Sequence, residues 1–98
     1  MNSEEEEPVP IPITGELDLH TFSPRETSRV VEAYLDACRE RGIYRVRIIH
    51  GKGIGTLRTT VHACLRRIPY VTEFHQGNET NGGWGATIAL LRPSEPAK

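Results

Sequence analysis

From residue 17 the chain alternates apolar and polar positions, Leu17-Asp18-Leu19-His20, the period of a half-buried strand that sends Asp18 and His20 to one face. Ser23-Pro24-Arg25-Glu26 follows, with an N-cap serine, a proline at the first helical position and a glutamate at capping-box distance. The period then changes: Val30, Val31, Tyr34, Leu35 and Cys38 recur along one face of a helix until Gly42 offers a stop. Residues 45–50 are rich in β-branched side chains, with Val46 and Ile48 on one side of a second strand and Arg45 and Arg47 on the other. After a glycine-rich turn, Leu57, Val61, Cys64, Leu65 and Ile68 return to helical spacing, and Pro69 closes the segment. Arg58, His62 and Arg66 stand four apart on its other face as a basic stripe. Residues 71–76 read as a third strand, 77–85 as a glycine-rich connection and 86–91 as a final strand.

The order βαβαββ predicts an α/β chain of the α+β two-layer kind: a four-stranded mixed sheet with both helices on one face. Helical crossovers make the first three strands parallel, and the shorter last link favours an antiparallel return. On this reading Val46, Ile48, Ile88 and Leu90 face the helices, while Asp18, Arg45 and Arg47 face outward. Parallel strands end at one edge, so His20, His50 and the connection 77–85 are expected on a single rim, where helix N-termini also point.

Composition adjusts this picture at its ends. Residues 1–13 join a glutamate run to Pro8, Pro10 and Pro12 and are expected to be a disordered tail; residues 93–98 read as a shorter one, leaving one domain over 14–92. The twelve lysines and arginines face thirteen acids, but four of those acids are residues 4–7, so the remainder of the chain has nine acids against twelve bases. Residues 41–72 hold no acid at all, while Arg41, Arg45, Arg47, Lys52, Arg58, Arg66 and Arg67 lie there. Such a stretch suggests a polyanion partner; the alternative is pairing with Glu26, Glu32, Asp36 and Glu40 of the preceding helix. No apolar run approaches the ~20 residues of a membrane span, and the acidic start is unlike a secretory signal, which predicts a cytoplasmic protein without membrane contact. Cys38 and Cys64 lie inside helical patterns without metal-ligand spacing and read as reduced core residues.

Candidate chemistry gathers at the rim. The loop His50-Gly51-Lys52-Gly53-Ile54-Gly55-Thr56 joins a strand to a helix, and its glycines let the backbone turn and present N–H groups to an anion, with Lys52 adding a charge. It lacks the G-x-x-x-x-G-K-[ST] spacing of a nucleotide-binding P-loop. The same glycines serve a tight strand-to-helix turn equally well. His20 with Asp18 reads either as a polar surface pair or as a proton-handling pair, since histidine titrates near neutral pH.

Three segments together, Leu17-Asp18-Leu19-His20, then His50-Gly51-Lys52-Gly53-Ile54-Gly55 with Leu57-Arg58, then Gly82-Gly83-Trp84-Gly85-Ala86-Thr87, resemble in order the signature motifs of the Smr (small MutS-related) domain. The resemblance spans residues 17–91 and implies a fold similar to the C-terminal domain of translation initiation factor 3. It also implies action on nucleic acid, since several family members nick DNA or cut RNA and others act as binders. Thr21 departs from the glycine that usually follows the first motif, and long MutS-like relatives often carry arginine at the position of His20.

What the resemblance implies for the site is a histidine-assisted nicking endonuclease on DNA or RNA phosphodiesters. Asp18, His20 and His50 form its catalytic set, with Asp18 orienting His20 or holding at most one divalent ion, Mg²⁺ or Mn²⁺. Gly51, Lys52, Gly53, Gly55, Arg58, Arg66, Gly83, Gly85 and Thr87 are its expected phosphate contacts. A two-metal site would need several clustered carboxylates, and Asp18 alone is expected on the rim. The rival expectation is a binding module using the same rim without chemistry, on nucleic acid or beside a MutS-like or ribosomal partner. The chain is expected to be a monomer.

Overall fold

The computed structural model describes residues 12–51, 55–77 and 85–94. The expectations placed on residues 1–11, Lys52, Gly53, Gly83 and residues 95–98 lie outside them. Along the chain run β1 (Glu16–Asp18), a 3-10 turn (Pro24–Glu26), α1 (Thr27–Glu40), β2 (Arg45–Ile49), α2 (Thr56–Arg67), β3 (Val71–Gln76) and β4 (Ala86–Leu91). The sheet order is β1-β2-β4-β3. β1 and β2 are parallel, and β4 runs antiparallel between β2 and β3, so the first three strands share one direction and the sheet is mixed.

The two helices pack on each other and on one sheet face, and between them lies a single apolar cluster that includes Leu17, Leu19, Val31, Leu35, Val46, Ile48, Val61, Leu65, Ala89 and Leu91. Cys38 and Cys64 are free thiols inside it, raised above their ordinary range chiefly by burial. Among the described residues no helix is long and apolar enough to cross a membrane.

Three local expectations meet different outcomes. At Gly42, with φ at +76°, the amides of Gly42 and Ile43 reach back to the carbonyls of Arg39 and Cys38 (3.1 and 2.9 Å), closing α1 as the glycine stop predicts. The capping box at its start does not form. Ser23 makes no side-chain cap; instead a 3-10 turn held by Glu26 N–H donating to the Ser23 carbonyl (2.9 Å) leads into the α-helix at Thr27.

The third concerns β4. Val46 pairs with Ala89 and Ile48 with Thr87, whereas Arg45 and Arg47 pair with Leu90 and Ile88. Paired residues share a face, so Thr87, Ala89 and Leu91 turn to the helices and the expectation that Ile88 and Leu90 do so is corrected. The sequence Ala-Thr-Ile-Ala-Leu-Leu is apolar on both sides, which left its period undecided. Ile88 is nonetheless fully buried, because β4 is central and Arg47 and His75 flank it on the open face.

Candidate functional site

The strand ends meet as their direction requires. Leu19 N–H donates to the Ile49 carbonyl at 2.9 Å, and the N–H groups of His50 and Gly51 both donate to the Gly85 carbonyl, at 2.8 and 2.9 Å. Backbone bonds thus tie together the end of β1, the end of β2 and the entry to β4. Asp18 lies directly beside Ile49 in the β1–β2 register, so the first motif and the second are neighbours on one edge.

Asp18 and His20 form an exposed pair there. Oδ1 of Asp18 accepts the His20 backbone N–H at 3.0 Å and lies 2.8 Å from His20 Nδ1, an Asx turn that also clamps the ring. The His20 backbone N–H foremost, then its ring, holds the Asp18 carboxyl below its ordinary value, so it is an acceptor at neutral pH. A carboxylate at Nδ1 fixes the ring proton on that atom and leaves Nε2 as the basic nitrogen. The His20 side chain is 76% exposed, and among the described residues nothing bonds to Nε2.

His50 lies on the other side of the sheet. It is 8% exposed, with Nδ1 3.1 Å from the Gly51 carbonyl and Nε2 2.8 Å from the Thr87 hydroxyl. The same hydroxyl is 2.9 Å from Nε2 of His62 on α2. Burial above all holds His50 below the ordinary imidazole value, with Arg58 adding to it, so His50 is neutral at pH 7. The two catalytic histidines expected from sequence therefore share the rim but not a face: one is open to solvent, the other bonded inward at both nitrogens.

Thr87, expected among the phosphate contacts, is fully buried between two imidazoles and supports the rim from within. His62 belongs by spacing to the basic stripe, yet its ring packs on Phe74 (4.9 Å between centroids) and edge-on to His50 (6.3 Å). The signal for this was present in the spacing: residue 62 precedes buried Leu65 by three and follows Val61, at the margin of the apolar stripe.

The second motif delivers the start of α2. Gly51 and Gly55 have φ of +87° and +93°, a region in which other L-residues are strained. Gly55 is the N-cap and has no side chain to satisfy the first amides, and the first turn of α2 holds no acid. A Cβ at Gly55 would meet Arg58 Nη2 at 3.4 Å, so this guanidinium folds back on the loop. Arg66 lies two turns further, ~12 Å along the helix, with its guanidinium 5.8 Å from the Phe74 ring. It extends a basic face down α2 and does not join the rim.

Charge pairing leaves most of the basic stretch open. Among the described residues the ion pairs are Arg47 with Glu16, and His20 with Asp18. Asp36 bonds the Tyr70 hydroxyl, and Arg39 stacks 3.9 Å over the same ring. The acids of α1 thus make no ion pair with the arginines of residues 41–72. Nor, among the described residues, do three His, Cys, Asp or Glu side chains converge as a resident metal would require.

A family model for the Smr domain matches residues 17–92, which takes in all three motifs. The chain belongs to the Smr domain family. The Endonuclease MutS2 of Carboxydothermus hydrogenoformans is 42% identical over 77 residues, covering 79% of this chain and 10% of that protein. That of Halalkalibacterium halodurans is 43% identical over 80 residues, covering 82% of this chain and 10% of its own length. Among solved structures, the Smr domain of Thermus thermophilus MutS2 superposes with a TM-score of 0.76 at 35% identity, covering 82% of this chain and 100% of that one. YdaL, a stand-alone small MutS-related protein from Escherichia coli, gives 0.74 at 26% identity, over 80% and 64% of the two chains. This Smr domain spans about a tenth of the length of the curated relatives it matches.

Proposed function

We propose that this Smr domain, working in the cytoplasm, binds nucleic acid at the rim and hydrolyses single phosphodiester bonds there, as a nicking endonuclease on DNA or RNA. The observation that supports it most is the exposed Asp18–His20 pair, whose Nε2 is bonded by none of the described residues, on the strand edge that the His50–Gly51 turn shares. The similar MutS2 proteins are named endonucleases, and that activity is carried to this chain as part of the proposal.

In the proposed reaction a water oxygen attacks phosphorus, the bond to the leaving oxygen breaks, one proton leaves the water and one reaches the leaving group. Asp18 keeps the His20 proton on Nδ1, so Nε2 takes the proton from water or, once charged, returns one. Arginine, which many long relatives carry at this position, shares with an imidazolium the ability to donate N–H bonds to a charged oxygen. Stabilising the leaving oxygen is therefore the part that either residue can serve. His50 is the buried member of the set: its Nδ1–H, now on the Gly51 carbonyl, can turn to a phosphate oxygen. Gly51, Lys52, Gly53, Gly55, Gly83 and Gly85 would receive the phosphate together with the first amides of α2, Arg58 would add its charge, and Arg66 would meet the nucleic acid further along. Asp18 Oδ1 is already engaged by His20, and among the described residues no cluster of ligands accompanies it, so the proposed steps use the chain's own groups.

The complete internal bonding of His50 favours one other reading, a binding module for nucleic acid or a ribosomal surface that performs no chemistry. Relaxation of supercoiled plasmid and cleavage of structured RNA, with Mg²⁺ and with Mn²⁺, measured beside filter binding, decide between them. Asp18→Asn, His20→Ala and His50→Ala are expected to lower nicking by roughly 10²- to 10⁴-fold with binding nearly unchanged. Lys52→Ala should weaken binding and rate together. Wild-type protein that binds but never nicks in any of these conditions transfers the assignment to the binding module.

A further inference from the structure

We propose that His62 is a positioning residue for His50: through the Thr87 hydroxyl the two imidazoles form one hydrogen-bond chain with a single direction when both are neutral and room for a single added proton. The inference rests on the reading of the rim as the functional site, since it assigns the buried half of that site its proton arrangement.

The direction follows from counting hydrogens. A carbonyl can only accept, so the 3.1 Å contact to the Gly51 oxygen places the proton of neutral His50 on Nδ1. Its Nε2 must then accept, and the donor 2.8 Å away is the Thr87 hydroxyl. With that one hydrogen committed, the Thr87 oxygen is left to receive, and 2.9 Å away His62 supplies Nε2–H. The chain runs His62 to Thr87 to His50 to Gly51, and His62 Nδ1 is left as a lone pair that no described residue bonds. Thr87 is fully buried, so its hydroxyl has no exposed surface from which water could restore a lost partner.

One proton can be added without breaking any bond. It enters at His62 Nδ1; the Nε2 proton passes to the Thr87 oxygen as the threonine's own hydrogen passes to His50 Nε2. His50 then carries N–H at both nitrogens, His62 is neutral with its proton on Nδ1, and Thr87 donates in the opposite sense. A second proton would set two N–H groups against one hydroxyl whose own hydrogen has no acceptor. The surroundings oppose charge as well. His62 faces Arg58 and Arg66 of its own helix, Phe74 of β3, and His50 across Thr87 of β4; His50 feels Arg58; and none of the charged groups acting on either ring is acidic.

Tautomer-resolved ¹⁵N spectroscopy of the histidine rings tests this on the full chain. At neutral pH His50 should carry its proton on Nδ1 and His62 on Nε2, and on acidification both rings should respond with one shared midpoint. Thr87→Val keeps the shape and removes the bridge, so the two rings should titrate separately and His62 should lose its tautomer preference. His62→Gln, whose amide can still donate to Thr87, should keep His50 in the Nδ1–H form, and His62→Leu should let the Nε2–H form appear; these two variants serve if Thr87→Val fails to fold. The acid limb of the nicking profile should shift in both His62→Leu and His62→Gln, since neither side chain takes up the added proton, whereas only His62→Gln keeps the His50 tautomer. A wild-type His50 protonated on Nε2, independent midpoints in the wild type, or a folded Thr87→Val with unaltered spectra would overturn the chain. The ring spectra do not require turnover, so a protein that never nicks defeats the nuclease reading alone.

Discussion

Tyr34→Phe isolates the anchoring of the strand that carries Asp18 and His20. Tyr34 is buried on α1, and its hydroxyl lies 3.2, 3.1 and 3.1 Å from the amides of Thr14, Gly15 and Glu16, while donating to the Glu16 carbonyl at 2.9 Å. A phenol oxygen has one hydrogen and two lone pairs, so at most two of the three amides are well satisfied at once. Phenylalanine keeps the ring packing and removes the donor and the acceptor together. Each net hydrogen bond contributes ~1 kcal/mol, and water reaches part of what is exposed because Thr14 and Glu16 are themselves surface residues. The expected loss is about 2 kcal/mol, which for a domain of this size lowers the thermal midpoint by roughly 8 to 16 °C. Thermal unfolding by circular dichroism measures the total, and amide hydrogen exchange locates it. Protection should fall first at residues 14–19 and, in β4, only as far as global stability falls. A loss below ~0.5 kcal/mol, well short of one bond's contribution, with protection at residues 14–19 unaltered, would refute the claim that this hydroxyl holds β1 in place.

Two further expectations follow from charge. Nucleic-acid affinity should fall steeply with salt, and Arg58→Ala and Arg66→Ala should each reduce the slope by about one phosphate's worth; binding indifferent to salt would point to another class of ligand. Stability should decline as pH falls. His50 and His62 are both held below the ordinary imidazole value, so the unfolded chain takes up their protons first, and the stability present above about pH 6.5 is lost as the pH drops through the unfolded value toward the folded ones. Urea midpoints from pH 8 to 5 should show this decline, and His62→Gln should flatten it; a midpoint constant across that range would contradict the neutral pair.

Much of this was legible in the sequence because it depends on local pattern. The change of period from two to three-and-four located the first two strands and both helices, Gly42 located the end of α1, and the shared direction of three strands brought His20 and His50 to one edge. What escaped depends on which neighbour a residue meets across the sheet. Ile88 and Thr87 could not be assigned faces from an apolar hexapeptide, because the pairing of Ile48 with Thr87 is a fact about β2 and β4 together. His62, four residues from two arginines, looks solvated in the sequence until the partner on β4 is known. The capping box failed for a similar reason: the chain enters α1 through a 3-10 turn, which withdraws Ser23 and Glu26 from cap geometry.

The register of β4 joins these observations. Because β4 enters between β2 and β3 at the edge where both leave, the Gly85 carbonyl can accept from His50 and Gly51 at once, and two residues later Thr87 faces the helices. A slip of one residue would exchange Thr87 for Ile88 or Ala86 on that face, and both imidazoles would lose their bridge. The paired acceptance at Gly85 opposes such a slip, since the N–H of buried His50 would have to find a new acceptor away from water. The glycine motif that leads into β4 thus has a structural duty beside any contact with phosphate: it delivers a carbonyl to the second motif and a hydroxyl to its histidine. The exposed Asp18–His20 pair needs no such support, because its ring is held by its own carboxylate two residues away. The open half of the rim is therefore fixed by local sequence and the buried half by sheet pairing, so a change in β4 packing should alter the state of His50 while leaving the geometry of His20 in place.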